Sequence, residues 1–261
     1  MKHRPRKRFG QNFLVDAGVI AAIVAALHPA RGEHIVEIGP GLGALTGPLL
    51  AVVEELHAIE IDRDLATRLE AEFAPRLTLH VADVLHFDFA ALGDDLRVIG
   101  NLPYNISTPL LFHVLRFCSQ IRDIHVMLQK EVVARMVAAP SDSNYGRLSV
   151  MLQYRFELEK ILDVPAAAFS PAPEVESAVV RLTPLRPLKY PAHDESVFAR
   201  VVAAAFSQRR KTLRNSLKGI ISESDFTAVG IDPTARPQDL GVQRFVAIAN
   251  HVSGRDHEPA T

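Results

Sequence analysis

The amino-acid sequence predicts an α/β protein with two domains, a Rossmann-like parallel sheet covered by helices and a small all-helical C-terminal domain. Between residues 34 and 138, short apolar strand-like runs alternate with helical runs of about ten residues, the pattern of a doubly wound sheet. After the prolines 184, 187 and 191, only helical patterns follow, near 194–206, 208–221, 223–229 and 239–252. We therefore assign residues 1–187 to the sheet domain and residues 188–261 to the helical domain.

Each element of the sheet domain has its own local signal. A helix near 17–28 is predicted by Asp16 as its N-cap and by apolar residues at helical spacing up to Leu27. Short apolar runs predict strands at 34–38, 56–61, 77–81, 96–100 and 121–128. Amphipathic runs predict helices near 44–53, 63–73, 107–117 and 130–138. Residues 148–162 and 176–183 are densely apolar with little helical period, which predicts the antiparallel end of the sheet.

The composition is that of a globular chain that needs no disulfide or metal to fold. Of its 261 residues, 48% are hydrophobic and 23% are charged, so it can bury a core of its own. The single cysteine, Cys118, allows no internal disulfide and suits a reducing cytosol. No apolar run is long enough to cross a bilayer, and the histidines lack metal-ligand spacing. We expect a cytoplasmic protein without a metal, and its size and composition favour a monomer.

Charge is segregated along the chain. The formal net charge is −1, which taken alone argues against a nucleic-acid binder. Two clusters contain no acid: the N-terminal basic cluster (Lys2, Arg4, Arg6, Lys7 and Arg8) and the C-terminal basic cluster (Arg209, Arg210, Lys211, Arg214 and Lys218). Each is either a solvated surface or a phosphate-binding site, since segregated charge attracts phosphate locally even when the net charge is near zero.

Residues 36–43 form the end of the first predicted strand of the sheet and the glycine-rich turn that follows it. The glycines there let the backbone turn sharply and approach a ligand closely. Glu60 ends the next strand, where an acid can accept hydrogen bonds from both ribose hydroxyls of a nucleoside cofactor. The pattern fits a dinucleotide, S-adenosylmethionine or a turn without a ligand. Asp83 favours S-adenosylmethionine, because a carboxylate after the third strand can accept from an adenine amine; the alternative is a simple helix cap.

Asn101-Leu102-Pro103-Tyr104 follows the fourth strand, at the same predicted sheet edge. The N6 amine of adenine is a weak nucleophile because its lone pair is delocalised into the ring. The Asn101 amide oxygen and the Leu102 carbonyl can each accept one N–H, which stabilises the positive charge that develops during methyl transfer. Pro103 restricts Leu102, and Tyr104 offers a face for stacking a base. The alternative is an ordinary Asn-x-Pro turn, which the order of the surrounding motifs disfavours.

Seven runs of sequence resemble the ribosomal RNA adenine dimethylases, and within that family the bacterial small-subunit branch. These runs are residues 6–14, 37–41, 100–109, 127–132, 145–150, 169–173 and 209–214. They occur in the family's order along nearly the whole chain, so the resemblance is specific. It implies the seven-stranded methyltransferase sheet with S-adenosylmethionine as methyl donor. It also implies dimethylation of two adjacent adenines in a hairpin near the 3′ end of 16S rRNA, within an assembling small ribosomal subunit.

The resemblance also implies roles for individual residues. The cofactor would be bound by Asn12, Leu14, Gly39, Glu60, Asp83 and Asn101. Asn101, with Leu102, would also contact the target amine, and the target base would lie between Tyr104 and Phe169. The Arg209–Arg214 run would bind RNA from the helical domain.

Three alternative functions remain at this point. The large-subunit dimethylases of macrolide resistance share the motif but are typically strongly basic and lack the Arg209–Arg214 run. DNA adenine methyltransferases often carry proline where this chain has Leu102, and the chain has no obvious target-recognition insertion. A non-catalytic nucleic-acid-binding factor on the same scaffold is disfavoured by the intact set of site residues.

Overall fold

The computed structural model describes residues 11–208 and 210–255, without the Arg255 side chain. The chain divides into two compact units. Of the described residues, 11–133 and 157–184 form the sheet unit, and 134–156, 185–208 and 210–255 form the helical unit. The chain passes from one unit to the other three times, and the third passage, after Pro184, lies close to the sequence-based boundary at 187. The segment 134–156 belongs to the helical unit, which was not predicted.

The strands of the described residues build one large sheet and a short two-stranded ribbon. In chain order they are β1 (Phe13–Leu14), β2 (Ile35–Ile38), β3 (Leu56–Glu60), β4 (Leu77–Val81), β5 (Leu96–Asn101), β6 (Ile121–Gln129), β7 (Phe156–Val164), β8 (Phe169–Ser170) and β9 (Ser177–Pro184). The large sheet has seven strands in the order β4-β3-β2-β5-β6-β9-β7, which confirms the predicted seven-stranded sheet. β4, β3, β2, β5 and β6 run parallel, and β9 is antiparallel to β6.

The helices, again in chain order, cover the sheet or build the helical unit. They are α1 (Ala17–Leu27), α2 (Thr46–Leu50), α3 (Arg63–Phe73), α4 (Ser107–Val114), α5 (Lys130–Val137), α6 (Arg147–Arg155), α7 (Glu195–Ala205), α8 (Leu213–Ser216), α9 (Glu223–Ala228) and α10 (Val242–Arg255). α1 begins as predicted, with the Asp16 carboxylate accepting from the Val19 N–H at 2.9 Å. None of the helices in the described part of the chain is both long and apolar enough to cross a membrane.

The strands of the sheet unit are continuous apolar runs in the sequence because they are buried on both faces. β2 is buried at all four positions, and β5 is buried at its first five. Strands covered by helices on both faces have no solvent side, so alternation of polar and apolar residues disappears. Side chains of α1, α2 and α3, including Leu27, Leu49 and Leu69, pack with Leu56 and Ile99 of the sheet in one cluster.

A buried ion network ties α1 to the sheet. Arg97 of β5, 7% exposed, donates to Asp123 of β6 at 2.7 Å and to Glu33 at 2.7 Å. Its guanidinium also donates to the Leu27 carbonyl, at the C-terminal end of α1, at 2.7 Å. A cation there satisfies a helix-terminal carbonyl and interacts favourably with the helix dipole. The network therefore fixes the end of α1 that lies away from its Asp16 cap.

Two predictions of secondary structure were wrong. The sequence analysis assigned residues 148–162 to a strand, whereas 147–155 form α6 and the strand begins at Phe156. Val150 and Tyr154, one helical turn apart, are both in the core of the helical unit, and Leu152, buried between them, hides the helical period. The predicted helix 208–221 is reduced to α8, because the Leu213 and Arg214 N–H groups donate to carbonyls of Ala235 and Pro233 instead of continuing a helix.

Candidate active site

A cavity of about 260 Å³ opens at the carboxyl ends of β2, β3, β4 and β5. In parallel sheets with helices on both faces, ligands bind at this edge. The cavity is lined by most of the residues that the sequence analysis singled out: Asn12, Leu14, Gly39, Glu60, Asp83, Asn101, Leu102 and Tyr104. Residues far apart in the sequence are therefore brought together as predicted, with the exception of Phe169.

Where β2 and β5 end, next to the glycine-rich turn and the Asn101 motif, there is no room for a side chain at Gly100. Gly100 of β5 pairs in register with Ile38 of β2. A Cβ at Gly100 would lie 2.5 Å from the Ile38 carbonyl oxygen, so only glycine fits between the strands. Gly39 follows with φ 65°, a conformation that L side chains rarely adopt, and a Cβ on it would lie 3.7 Å from the Asn101 carbonyl. Gly100 therefore allows β2 and β5 to pair directly before the two motifs, and Gly39 lines the cavity.

Two buried carboxylates stand in the cavity wall. Glu60, 5% exposed, accepts from the Gly41 N–H at 3.3 Å and from the Asp62 N–H at 2.9 Å. Burial raises the pKa of Glu60. Glu37, 2% exposed, accepts from the Thr46 hydroxyl at 2.7 Å, and burial, with a further contribution from nearby Glu60, raises its pKa to about 7. Carboxylates desolvated in this way are stabilised by a ligand that brings hydroxyl donors or positive charge.

Glu37 is a cavity residue to which the sequence analysis gave no role. A signal for it exists in the sequence, since an acid in the middle of the apolar run Val36-Glu37-Ile38 is unusual for a buried strand. Its hydrogen-bond partner Thr46 begins α2, the helix after the glycine-rich turn.

Asp83 lines the cavity and also caps a turn. One carboxylate oxygen accepts from the Leu85 N–H at 2.9 Å, at the start of the short 3₁₀ turn Val84–His86. The other lies 3.3 Å from Nδ1 of His86. Asp83 therefore both caps the turn, as the sequence allowed, and lines the cavity. It can cap the turn and bind a ligand at the same time because each carboxylate oxygen has a second lone pair.

The motif that begins at Asn101 presents two hydrogen-bond acceptors at the cavity. The side-chain Nδ2 of Asn101 donates to the Asn12 carbonyl at 3.0 Å, which orients the amide. The Leu102 N–H donates to the Met127 carbonyl at 3.2 Å. Across residues 11–208 and 210–255, no group donates to the Asn101 amide oxygen or to the Leu102 carbonyl. The Pro103 carbonyl, in contrast, accepts from the Ile106 N–H, so only the first two acceptors remain for a ligand.

Tyr104 is held at both ends. Its backbone belongs to the turn before α4, and its hydroxyl lies 2.7 Å from the hydroxyl of Ser177, the first residue of β9. Ser177 is completely buried. Burial raises the pKa of Tyr104, so its phenol stays protonated at neutral pH.

The segment that precedes α1 is paired with the loop that precedes β9. β1 and β8 form an antiparallel ribbon in which Leu14 is opposite Phe169 and Phe13 is opposite Ser170. This pairing covers the cavity with Asn12 and Leu14 and was not predicted. Phe169 is 5% exposed, packs in the same core cluster as Leu14, and is not among the residues that line the cavity. The structure therefore does not bring Phe169 and Tyr104 together as two open faces of a base-binding slot.

The structure describes only part of the two predicted basic clusters. The N-terminal basic cluster and Arg209 lie outside the described residues. Arg210, Lys211 and Lys218 are exposed, whereas Arg214 forms an ion pair with Glu223 in the helical unit. Within residues 11–208 and 210–255, no three His, Cys, Asp or Glu side chains are grouped to hold a metal ion.

The chain matches known proteins over nearly its whole length. A model of the family described as "Ribosomal RNA adenine dimethylase" matches residues 2–253. The ribosomal RNA small subunit methyltransferase A of Thiobacillus denitrificans is 61% identical over 254 residues, which are 97% of this chain and 100% of the relative. The protein of the same name from Nitrosospira multiformis is 59% identical over 252 residues, 96% of this chain and 97% of the relative.

Solved structures share the fold at lower sequence identity. A dimethyladenosine transferase from Plasmodium falciparum gives a TM-score of 0.78 at 24% identity, with 90% of this chain and 95% of that chain covered. The 23S rRNA methyltransferase ErmE gives a TM-score of 0.71 at 23% identity, with 93% and 100% covered. The chain therefore belongs to the ribosomal RNA adenine dimethylase family, whose cofactor is S-adenosylmethionine.

Proposed function

We propose that this protein dimethylates the N6 amines of two adjacent adenines in a hairpin near the 3′ end of 16S rRNA, during assembly of the small ribosomal subunit. The observation that carries the chemistry is a pair of acceptors to which no group in residues 11–208 or 210–255 donates, the Asn101 amide oxygen and the Leu102 carbonyl, in residues that line the cavity. The choice of the small subunit is supported by the names of relatives that are 59% and 61% identical over nearly their full length.

The acceptors suit an exocyclic amine with two N–H groups. The cofactor supplies an electrophilic methyl group. Asn101 and Leu102 each accept one N–H, which orients the nitrogen lone pair and stabilises the positive charge that grows on the amine. Alignment of the nitrogen contributes further, because a fixed near-attack geometry removes much of the entropic cost. After the first transfer the methylated nitrogen loses a proton to water and keeps one N–H, so one acceptor is sufficient to orient the monomethylated amine.

The acids that line the cavity suit the rest of the cofactor. We assign Glu60 to the ribose hydroxyls, since both of its oxygens are fixed by backbone N–H groups and keep a lone pair for a further donor. Asp83 is assigned to the adenine amine on the same reasoning. Gly39 would lie against the methionine part, where its missing side chain leaves space, and Asn12 and Leu14 would cover the cofactor from the β1 side.

Base stacking is assigned to Tyr104, which lines the cavity. Phe169 can form the opposite face only if its ring leaves the core position beside Leu14. A stacking role of Phe169 therefore includes a movement of the β1–β8 ribbon when the target base enters. The C-terminal basic cluster is assigned to RNA phosphates, supported by the exposure of Arg210, Lys211 and Lys218. We further propose a cytoplasmic monomer that requires no metal.

The proposal is tested by methylation of small subunits that lack the two dimethyladenines. The purified protein and labelled S-adenosylmethionine are expected to give N6,N6-dimethyladenine at adjacent positions of 16S rRNA. Label that appears only in large-subunit RNA or only in DNA would show that the proposed substrate is wrong. Calorimetry with S-adenosylmethionine tests the alternative of a non-catalytic nucleic-acid-binding factor, because such a factor would show no cofactor binding.

A further inference from the structure

The hydroxyl pair Tyr104–Ser177 is a contact for which the methyl transfer as described has no use. Tyr104 is in a turn at the cavity, and Ser177 is in β9, on the antiparallel side of the sheet. Their oxygens are 2.7 Å apart, a short distance within the ordinary range for two hydroxyls. A tyrosine could serve as a stacking surface without this bond, so the bond needs its own explanation.

The two partners differ in how firmly they are held. Ser177 is opposite Gln129 in the β6–β9 ladder and is completely buried, so its hydroxyl has a fixed position in the sheet. The Tyr104 ring is joined to the chain only through a turn and is half-buried. Without a partner for its hydroxyl, the ring could turn about its side-chain torsions. The bond to Ser177 fixes the far end of the ring and with it the plane of the aromatic face.

We propose that Ser177 is a positioning residue for the methyl transfer, which holds the Tyr104 ring by its hydroxyl in the plane on which the target adenine stacks. Ser177 itself does not contact the substrate. The inference rests on the proposed function, since it assumes that Tyr104 stacks a base. Ser177 affects the orientation of the bound adenine relative to the Asn101 and Leu102 acceptors. It affects the affinity for RNA only weakly.

A proton-transfer role for the hydroxyl pair is a different interpretation. Burial raises the pKa of Tyr104, which disfavours a phenolate that could accept a proton. The two interpretations differ in their pH dependence. A positioning role changes the methylation rate by the same factor at every pH, whereas loss of a proton acceptor would change the shape of the pH–rate profile.

The test is a double-mutant cycle on the full-length protein with small subunits as substrate. Tyr104→Phe removes one hydroxyl and keeps the ring, and Ser177→Ala removes the other. We expect each variant to lower the single-turnover rate about fivefold to tenfold, the usual effect of one buried hydrogen bond. The double variant is expected to be no slower than the singles, because either change already removes the bond. The KM for the subunit and the Kd for S-adenosylmethionine are expected to change less than twofold.

Matched controls measure the effect of losing a buried hydroxyl elsewhere. Tyr145→Phe removes a hydroxyl that donates to the Leu240 carbonyl at 2.9 Å, and Ser253→Ala removes one that donates to the Ala249 carbonyl at 2.9 Å. Both are expected to lower Tm while the methylation rate of the folded protein is unchanged.

Several results would overturn the inference. One is a wild-type rate in Ser177→Ala, and another is a double variant whose loss equals the product of the two single losses. A third is an equal loss of cofactor affinity and rate, which would indicate general damage to the cavity. A changed pH–rate profile would favour proton transfer. Failure of the proposed function has a different signature, namely that the wild-type protein does not methylate small subunits at all.

Discussion

Replacement of Gly100 by alanine tests whether the close approach of β2 and β5 sets the geometry of the cavity. The new Cβ would lie 2.5 Å from the Ile38 carbonyl oxygen, whereas ordinary contact begins at 3.4 Å. The two strands must therefore separate by about 0.9 Å at this point, the difference between these distances. Crowding of this kind costs about 1–3 kcal/mol of stability. In a chain of this size that corresponds to a fall in Tm of several degrees.

The effect on activity is expected to be larger than the effect on stability. The displaced Ile38 carbonyl is followed directly by Gly39, and Gly100 is followed directly by Asn101, so the separation acts on both sides of the cavity. A misplacement of about 1 Å can cost about 100-fold in rate. We expect the single-turnover methylation rate of Gly100→Ala to fall by one to two orders of magnitude at a temperature where the variant is folded.

A control glycine separates local crowding from loss of a glycine in general. Gly254 is in α10, and a Cβ there would meet nothing within 4 Å. Gly254→Ala is expected to raise stability by less than about 0.5 kcal/mol, because Gly254 is the penultimate residue of α10 rather than in its interior, and to leave the methylation rate unchanged. A Gly100→Ala protein with wild-type Tm and wild-type rate would refute the reasoning, since it would mean that the strands accommodate the methyl group without a displacement at the cavity.

Further outcomes follow from individual side chains. Asn101→Ala is expected to reduce single-turnover rate far more than cofactor affinity measured by calorimetry; equal losses would contradict its role as an acceptor for the amine. Because burial raises the pKa of Glu37 to about 7, the cofactor-free protein should lose stability as pH rises from about 4.5 to about 7, by about 3 kcal/mol. Urea unfolding at pH 5 and pH 8 should show a larger loss in the wild type than in Glu37→Gln, which keeps the contribution of Glu60, whose pKa burial also raises. The same loss in both proteins would disprove the assignment. Arg97→Ala should cost about 3–5 kcal/mol in urea unfolding, because Asp123 is left buried without its partner, whereas Arg122→Ala, at a half-exposed site, should cost under about 1 kcal/mol. Comparable losses in the two arginine variants would argue against the buried network. RNA affinity should fall steeply with salt if the two basic clusters bind phosphates, and a flat dependence would count against them.

The sequence predicted those parts of the fold and site that depend on local signals. The Asp16 cap, the alternation of strands and helices, and the glycine-rich turn are each specified within about ten residues. The motif at Asn101 could be placed beside that turn because the carboxyl ends of parallel strands meet at one edge. Glu60 and Asp83 were placed at the cavity by the same topological rule, without any knowledge of their partners.

The features of the fold and site that were not predicted depend on contacts between segments that are far apart in the sequence. No local pattern indicates that Phe13 and Leu14 pair with residues 169–170, since a two-residue strand has no period. The bond between Tyr104 and Ser177 links residues that are 73 positions apart. Phe169 is buried because of the β1–β8 ribbon, which was not predicted. The family resemblance implied a role for Phe169 with substrate bound, and that role does not indicate its position in the protein without substrate.

The β1–β8 ribbon affects the order in which parts of the protein fold during synthesis. Domains form from the N-terminus as the chain leaves the ribosome, and contacts between distant segments form late because they close long loops. Asn12, which orients the Asn101 amide, is followed by a strand whose only partner in the described chain is residues 169–170. The cofactor cavity is therefore incomplete on a nascent chain that already contains β2 to β6. We therefore expect the side of the cavity that β1 provides to form only after residue 170 has been synthesised and released from the exit tunnel.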